Sequence, residues 1–416
     1  MYEWSDEHRM IRDAVRDFVE KEVRPRREEL EFGDTPPYDV IRKLYATFGM
    51  RDMARESFAR RIAAEKEAEA KPEPTQETQP KGAGGRPQVE STRQGGAGFM
   101  LLPIIELCRC SPGLVTAMGV STGLAAATIM SRGTVAQKER WALDLLTFDK
   151  VGAWAITEPD SGSDAFGRMQ ATARRDGDEY VLNGSKTFIT NGPYADTTVF
   201  ICKLDEGNPP AERKILSFVL DRGMAGFEQT KPMRKMGMHS SPTGMLFCSD
   251  VRAGKDRLLG ETEDRPYREG AKEAFSIERT GVAAMSLGII ERCLELSIDY
   301  AKECVRFGKP IGEHQLVQEK LARMEMHRLN VENLVFRTIE KAEAGAGMNL
   351  TEASAMKLYS ARAAMEVALE AVQVFGGNGY MAEYEVEQLA RDAKVLQIYA
   401  GTDEIQISQI ARSLLA

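Results

Sequence analysis

The chain is short of the residues that build metal centres and nucleophilic relays. Only four histidines (His8, His239, His314, His327) occur in 416 residues, too few for a His-rich metal site and little material for a Ser–His–Asp arrangement. Six cysteines stand at 108, 110, 202, 248, 293 and 304. No pair has zinc-ligand spacing, and Cys108 and Cys110 would point to different sides of a helix, so reduced, mostly buried thiols are expected. No uninterrupted apolar segment of about 18 residues is found, and no membrane span is expected. A basic excess is missing too. The net charge of −8 argues against a nucleic-acid binder, which needs a basic face, and leaves room for a local patch facing a phosphorylated ligand. The opening Met1-Tyr2-Glu3-Trp4-Ser5-Asp6-Glu7 is acidic, unlike a signal or transit peptide. A cytoplasmic prokaryotic protein is the simplest expectation, a mature organellar form the other.

What is present is ordinary in bulk, 43% hydrophobic and 28% charged residues, and long enough for two or three packed units. Met10, Ile11, Ala14, Val15, Phe18 and Val19 recur at helical spacing within residues 5–30, and Asp6 and Glu7 suit a helix N-terminus. Residues 101–146, rich in Ala, Leu and Met, are helical in tone. Between these lies 62–98, with Glu, Lys, Pro, Gln and Gly and almost no large apolar residue. Such a stretch cannot bury enough surface to offset its ordering entropy, so a disordered surface insertion is expected, or else a partner-binding or lid segment. The middle turns β-rich, in short pieces at 151–157, 171–174, 180–182, 187–190, 198–203, 215–220 and 245–248. Arg175-Asp176-Gly177-Asp178 marks a hairpin. Long amphipathic helices return over 268–304, 315–344, 351–376, 383–395 and 403–415. The expected fold class is α+β: an N-terminal helical domain (1–150), a middle β-barrel-like or sandwich domain (151–262) and a C-terminal four-helix bundle (263–416).

Three segments carry chemistry. The first joins Ala155-Ile156-Thr157-Glu158-Pro159-Asp160-Ser161-Gly162-Ser163-Asp164 to Leu182-Asn183-Gly184-Ser185-Lys186-Thr187-Phe188-Ile189-Thr190-Asn191-Gly192. The second is Arg306-Phe307-Gly308-Lys309-Pro310-Ile311-Gly312-Glu313-His314-Gln315. The third runs from Gln373-Val374-Phe375-Gly376-Gly377-Asn378-Gly379-Tyr380 through Arg391-Asp392-Ala393-Lys394 to Tyr399-Ala400-Gly401-Thr402-Asp403-Glu404. Hydroxyls at strand ends, such as Thr157, Ser163 and Thr190, can bond the carbonyls and ring nitrogens of a heterocycle. The glycines at 376–379 let backbone approach a diphosphate closely. In this order and spacing the set resembles the acyl-CoA dehydrogenase family over nearly the whole chain outside 62–98.

The resemblance implies FAD as cofactor, an acyl-CoA substrate, an electron-transfer flavoprotein as redox partner, and a homotetramer. It sets Trp154, Ile156, Thr157, Ser163, Phe188 and Thr190 around the flavin: Thr157 at the pyrimidine edge, Thr190 at N5, Phe188 over one ring face. It gives the adenosine and diphosphate to Gln315, Gln373, Gly377, Thr402 and Glu404, often across a subunit interface, together with Arg306 and Phe307. Family members usually carry arginine three residues before the Phe-Gly pair. Here Cys304 stands there, and Arg306 either reaches the diphosphate from its displaced position or makes a surface pair while FAD is held less tightly.

The last loop departs further. Many members of the family place a glutamate before Gly-Thr to remove the α-proton, and here the residue is Ala400. A carboxylate suits that work when burial raises its pKa towards neutrality. Ser276-Ile277-Glu278-Arg279 offers one on the first long C-terminal helix, flanked by Ile277, Gly281, Val282, Ala284 and Met285. It resembles the isovaleryl-CoA and long-chain branch, which moves the base to this helix and keeps a small loop residue. The resemblance makes Glu278 the base and Ala400 N–H a donor to the thioester carbonyl, a contribution of about 3 kcal/mol from one preorganised donor. Ser163, Ser276 and Arg279 would contact substrate. Met118–Gly123 would border the acyl pocket, whose depth spacing does not give. A relative acting on another acyl carrier, an oxidase, and a non-catalytic flavin- or acyl-CoA-binding subunit stay open as other readings.

Overall fold

The computed structural model describes residues 3–33, 35–70, 96–264 and 267–415, with only the helical backbone given for 267–277. N-terminal helical runs come first, among them α1 Asp6–Phe18, α2 Tyr38–Thr47, α3 Met50–Ala70, α4 Gly96–Cys108 and α5 Pro112–Arg132. Ser5 caps α1 by accepting the His8 N–H at 3.2 Å, satisfying one of the donors a helix start leaves open. Val15 and Phe18 are buried on its inner face, whereas Met10, expected on that stripe, is 73% exposed.

The middle unit is a seven-stranded sheet of β1 Gly152–Ala155, β2 Thr172–Asp176, β3 Glu179–Thr190, β4 Thr197–Leu204, β5 Ile215–Asp221, β6 Phe227–Gln229 and β7 Thr243–Gly254. Strand order is β1-β4-β2-β3-β7-β6, with β5 pairing β4 off this path. The expected hairpin forms, Asp176 opposite Glu179, with Gly177 supplying φ +62°. Residues 180–182 and 187–190 belong to one long strand rather than two. Register shifts at 182/184 and 186/189 break the alternation that would have shown this in sequence. All of β4 is buried. Phe200, Cys202 and Leu204 face one core with Leu182 and Phe218, while Val199 and Ile201 join a second core containing Phe58, Ile62 and Trp141. Each such large apolar side chain contributes roughly 1.5–3 kcal/mol through burial, so β4 cements the sheet to the N-terminal helices.

The C-terminal helices are α6 Tyr267–Glu303, α7 Gln315–Glu343, α8 Leu350–Phe375, α9 Glu385–Val395 and α10 Asp403–Leu415. The α6 and α8 helices run parallel. Arg279 meets Ser354 near their starts and Tyr300 stacks on Phe375 at their ends, 4.1 Å between centroids. The α7 helix is antiparallel to them, and α9 and α10 lie along α8. One continuous core joins Phe18, Tyr38, Leu44, Ile105 and Leu114 to Val282, Ile289, Val331, Val367 and Leu389. The first and last thirds of the chain therefore share one hydrophobic interior around the sheet's edge.

Two expectations are corrected here. Residues 62–70 are the last turns of α3, and 96–98 begin α4. The polar composition of 62–70 hid a helix that buries Ile62 and ties Arg61 to Glu65 at 3.1 Å and Lys66 to Glu139 at 2.6 Å. The rest of the expected insertion, 71–95, lies outside the described residues. The α5 run is also long and apolar enough to cross a membrane by length and composition, contrary to the reading of the sequence. Half of it is buried inside the fold, where Ser121 accepts the Gly152 N–H at 2.8 Å.

Candidate functional site

Glu278 sits half-buried on α6. Burial pushes its carboxyl up to about 7, against the opposing charges of Arg279 and Lys357. One turn further on, the position a Cβ of Gly281 would take opens on empty space. Arg279 is buried and donates to Ser354 Oγ at 2.9 Å, and burial lowers its pKa. The Ser276 side chain falls outside the described residues.

The Tyr399-to-Glu404 loop packs beside this helix. Ala400 has φ +53° and Gly401 φ +88°, a tight left-handed turn that alanine adopts at a cost of about 1–2 kcal/mol. What holds it was not read from the sequence. Gln406 Nε2, from the first turn of α10, donates to Ala400 O at 3.0 Å and Gly401 O at 2.8 Å. Lys357 Nζ, from α8, donates to Gly401 O at 2.8 Å. Lys357 is fully buried; desolvation brings its pKa down to about 8, against Asp403. A signal existed: Ala353, Met356, Ser360, Ala361 and Ala364 make a buried face of α8 with one lysine on it. Thr402 is half-buried beside the turn and Glu404 is exposed.

On the sheet, Thr187 N donates to Thr157 O at 2.9 Å, bringing the 156–158 segment against 187–190. The brace is a buried ion pair missed by the sequence reading. Lys186 Nζ lies 2.8 Å from Glu158 Oε1 and 3.1 Å from Ile156 O. Glu158 also accepts the backbone N–H groups of Gln170 and Ala171 at 2.6 and 2.9 Å. Above this brace Phe188 is 65% exposed with φ +57°, an uncommon conformation for a bulky residue. Thr157 and Thr190 are half-buried, Ile156 is buried and Ser163 is exposed. The Trp154 Nε1 atom is buried without a hydrogen-bond partner among the described residues. Asn191 connects this surface to the helices: its amide donates to Ala117 O at 2.8 Å and Gly152 O at 2.9 Å, and its oxygen accepts Tyr38 Oη at 3.1 Å. Thr116, next to Ala117, lies near the Tyr399 phenol, whose Oη donates to Met285 Sδ of α6 at 3.3 Å, so the sheet surface, the turn and the Glu278 helix are neighbours.

Arg306, Phe307, Gln315, Gln373 and Gly377 do not join them. They gather at the far end of α8, where Gln315, Gln373 and Gly377 are exposed and Phe307 is 97% exposed. From Lys357 to Gln373 is about 24 Å along the helix axis at 1.5 Å per residue. Arg306 Nη1 bends back to Val305 O at 2.7 Å and meets no carboxylate among the described residues. Of the two roles left open for it, the surface ion pair is not formed among the described residues.

Helices, a seven-stranded curled sheet and a helical bundle, with a half-buried carboxyl near a left-handed turn, match the fold of flavin-dependent acyl-thioester oxidoreductases. Family models agree along the chain: "Acyl-CoA dehydrogenase, N-terminal domain" over 5–50 and 48–149, "middle domain" over 153–251 and "C-terminal domain" over 269–415. An acyl-CoA dehydrogenase of Bacillus subtilis (strain 168) is 35% identical over 417 residues, 99% of this chain and 98% of that protein. The structure of butyryl-CoA dehydrogenase from Megasphaera elsdenii matches with a TM-score of 0.82 and 32% identity, covering 100% of both chains. A chain in a structure described as the electron transferring flavoprotein of Acidaminococcus fermentans matches with TM-score 0.80 and 31% identity, covering 100% of this chain and 99% of that one. The chain belongs to the acyl-CoA dehydrogenase family, FAD-dependent oxidoreductases acting on the CH–CH bond of acyl-CoA thioesters.

Proposed function

We propose that the protein dehydrogenates an acyl-CoA thioester to its trans-2-enoyl-CoA with Glu278 as the α-proton base. The observation that carries this is the position and state of Glu278: a carboxyl pushed up to about 7, beside a turn whose two carbonyls are pinned by Gln406 and Lys357. A base near neutrality is ionised often enough to act and basic enough to take a carbon-bound proton. The Ala400 N–H would polarise the thioester carbonyl and acidify the α-carbon, its rotation restrained between the Tyr399 N–H bond to Val395 O and the held Ala400 carbonyl. Arg279 would keep Glu278 within reach of ionisation, and Ser276 and Ser163 would contact the substrate.

The residues present fit FAD. An exposed Phe188 in a strained conformation offers a ring-sized platform, and the Trp154 N–H, without a partner among the described residues, leaves a polar valence for a ligand. When bound, FAD supplies the two-electron acceptor for the hydrogen leaving Cβ. Thr402 and Glu404 would meet the cofactor near the turn. Gln315, Gln373, Gly377, Arg306 and Phe307, a helix length away, would serve the cofactor of a neighbouring subunit. Exposed Phe307, Leu316 and Tyr380 at that end support a homotetramer. The likeness to the Acidaminococcus chain supports an electron-transfer flavoprotein as acceptor.

The test is anaerobic reduction of the purified yellow protein by butyryl-, isovaleryl-, octanoyl- and palmitoyl-CoA. At least one should bleach the flavin band. Glu278→Gln should keep FAD and slow that bleaching by about three orders of magnitude, the upper part of what one general base contributes. Bound flavin that no thioester reduces would point to a non-catalytic subunit, and a Glu278→Gln variant reduced at the wild-type rate would remove the base assignment.

A further inference from the structure

We propose that Lys357 is a positioning residue for the dehydrogenation, acting on the Ala400–Gly401 turn and on Glu278 without touching the substrate. The inference rests on the reading of Glu278 as base and Ala400 as donor.

A fully buried ammonium needs a reason to persist, because desolvation disfavours it strongly. Neutralising Asp403 is only part of that reason. Asp403 Oδ2 already accepts from Arg362 Nε at 2.9 Å, and Lys357 Nζ stays 3.9 Å from Asp403 Oδ1. That oxygen has no hydrogen bond among the described residues. The ammonium instead approaches a neutral backbone carbonyl, Gly401 O, at 2.8 Å. This carbonyl also accepts from Gln406, which holds the preceding carbonyl too. Two successive peptide planes are thus clamped from two helices at a turn where both residues have positive φ. The Ala400 N–H lies in the preceding peptide plane, between this clamp and Tyr399, whose own N–H donates to Val395 O at 3.0 Å, so its rotation is restrained from both sides. The turn closes through Asp403 N donating to Gln397 O at 3.1 Å.

The second effect is charge. Glu278 is faced by Arg279 from its own helix, Lys357 from α8 and the Tyr399 phenol from the loop. Lys357 is faced in turn by Asp403, Glu404, Arg279 and Glu278. Among these, Lys357 is the cation that arrives from another helix, and it favours the ionised carboxylate that burial opposes. One side chain therefore couples the base to the carbonyl donor.

The experiment uses the full-length FAD-loaded protein as wild type, Lys357→Met, Lys357→Arg and Glu278→Gln. Anaerobic flavin reduction is followed from pH 5.5 to 9 with whichever of the four thioesters bleaches wild type fastest, and thermal melts are run alongside. Lys357→Met, close in shape and apolar, should melt no lower than wild type. It should reduce flavin about 10- to 100-fold more slowly, with the acidic limb of its pH–rate profile moved up by at least half a pH unit. Lys357→Arg should keep the limb near the wild-type position. A Lys357→Met profile that superposes on wild type overturns the proposal. So does a slower rate with an unmoved limb, which would mean that Lys357 only supports packing. Wild-type reduction by Glu278→Gln would instead sink the base reading, whatever Lys357 does.

Discussion

Glu278 on α6 and Asp392 on α9 are both pushed up to about 7, with burial the largest cause in each. Their surroundings differ. Asp392 accepts the Met238 N–H and the Gln388 amide, the latter at 3.3 Å, and faces Glu31 and Arg391. Gln388 continues to Cys110 O at 3.1 Å. A Cβ on Gly237 would meet the Arg391 carbonyl carbon at 2.6 Å, so the 236–238 segment lies tight against α9 and Asp392 latches it. Glu278 accepts no hydrogen bond among the described residues and faces two cations and open space beside Gly281. A raised pKa reports burial, and the inventory of partners decides whether the lone pairs are free for a substrate proton. By that measure Asp392 is occupied in holding the 236–238 segment, and Glu278 keeps lone pairs free for the proton transfer proposed above.

Substitutions can break this contrast. The largest effect is on rate: Glu278→Gln should lose flavin reduction while Asp392→Asn keeps it within a few-fold, and equal losses would make the two carboxyls alike. Next comes stability. Asp392→Ala removes the acceptor for a buried N–H and a buried amide, and should cost about 2 kcal/mol in urea unfolding, the price of buried donors left without partners less the relief from Glu31. An unchanged midpoint would mean that the latch contributes nothing.

The long helices and most strands were legible because their period is local. Residues 351–376 carry their apolar face on their own surface, and the structure begins and ends that helix one residue earlier. The candidate base was legible as a paired departure, a small residue at 400 and a carboxylate at 278. The clamps were not. Lys357 and Gly401, Lys186 and Glu158, and Asn191 and Ala117 meet only after the chain has folded back, and nothing in a window of ten residues reveals them. The helix over 62–70 was misread for the same reason: its Glu65 and Lys66 are satisfied by Lys138 and Glu139, over seventy residues away. Phe188 was legible as an aromatic in a motif, but its exposure and positive φ came from the register shift at 186/189.

The finest discrimination is in how stability changes with pH. The folded-state pKa of Glu278, about 7, lies above the ordinary glutamate value of 4.5. The native state therefore binds this proton more tightly than the unfolded chain. The resulting stability is fully present below about 4.5 and is lost as pH rises through about 7. Above that, the ionised carboxylate is a standing cost to the fold, about 1–3 kcal/mol after allowing for its residual exposure. Glu278→Gln does not titrate. At pH 8 it should unfold at higher urea than wild type by that margin, and the gain should close as pH falls towards 4.5. A carboxyl that destabilises its own fold at the pH where it is ionised, and whose removal trades activity for stability, behaves as functional groups do. If Glu278→Gln were instead less stable at pH 8, its carboxylate would hold partners as Asp392 does, and the contrast between the two would be gone.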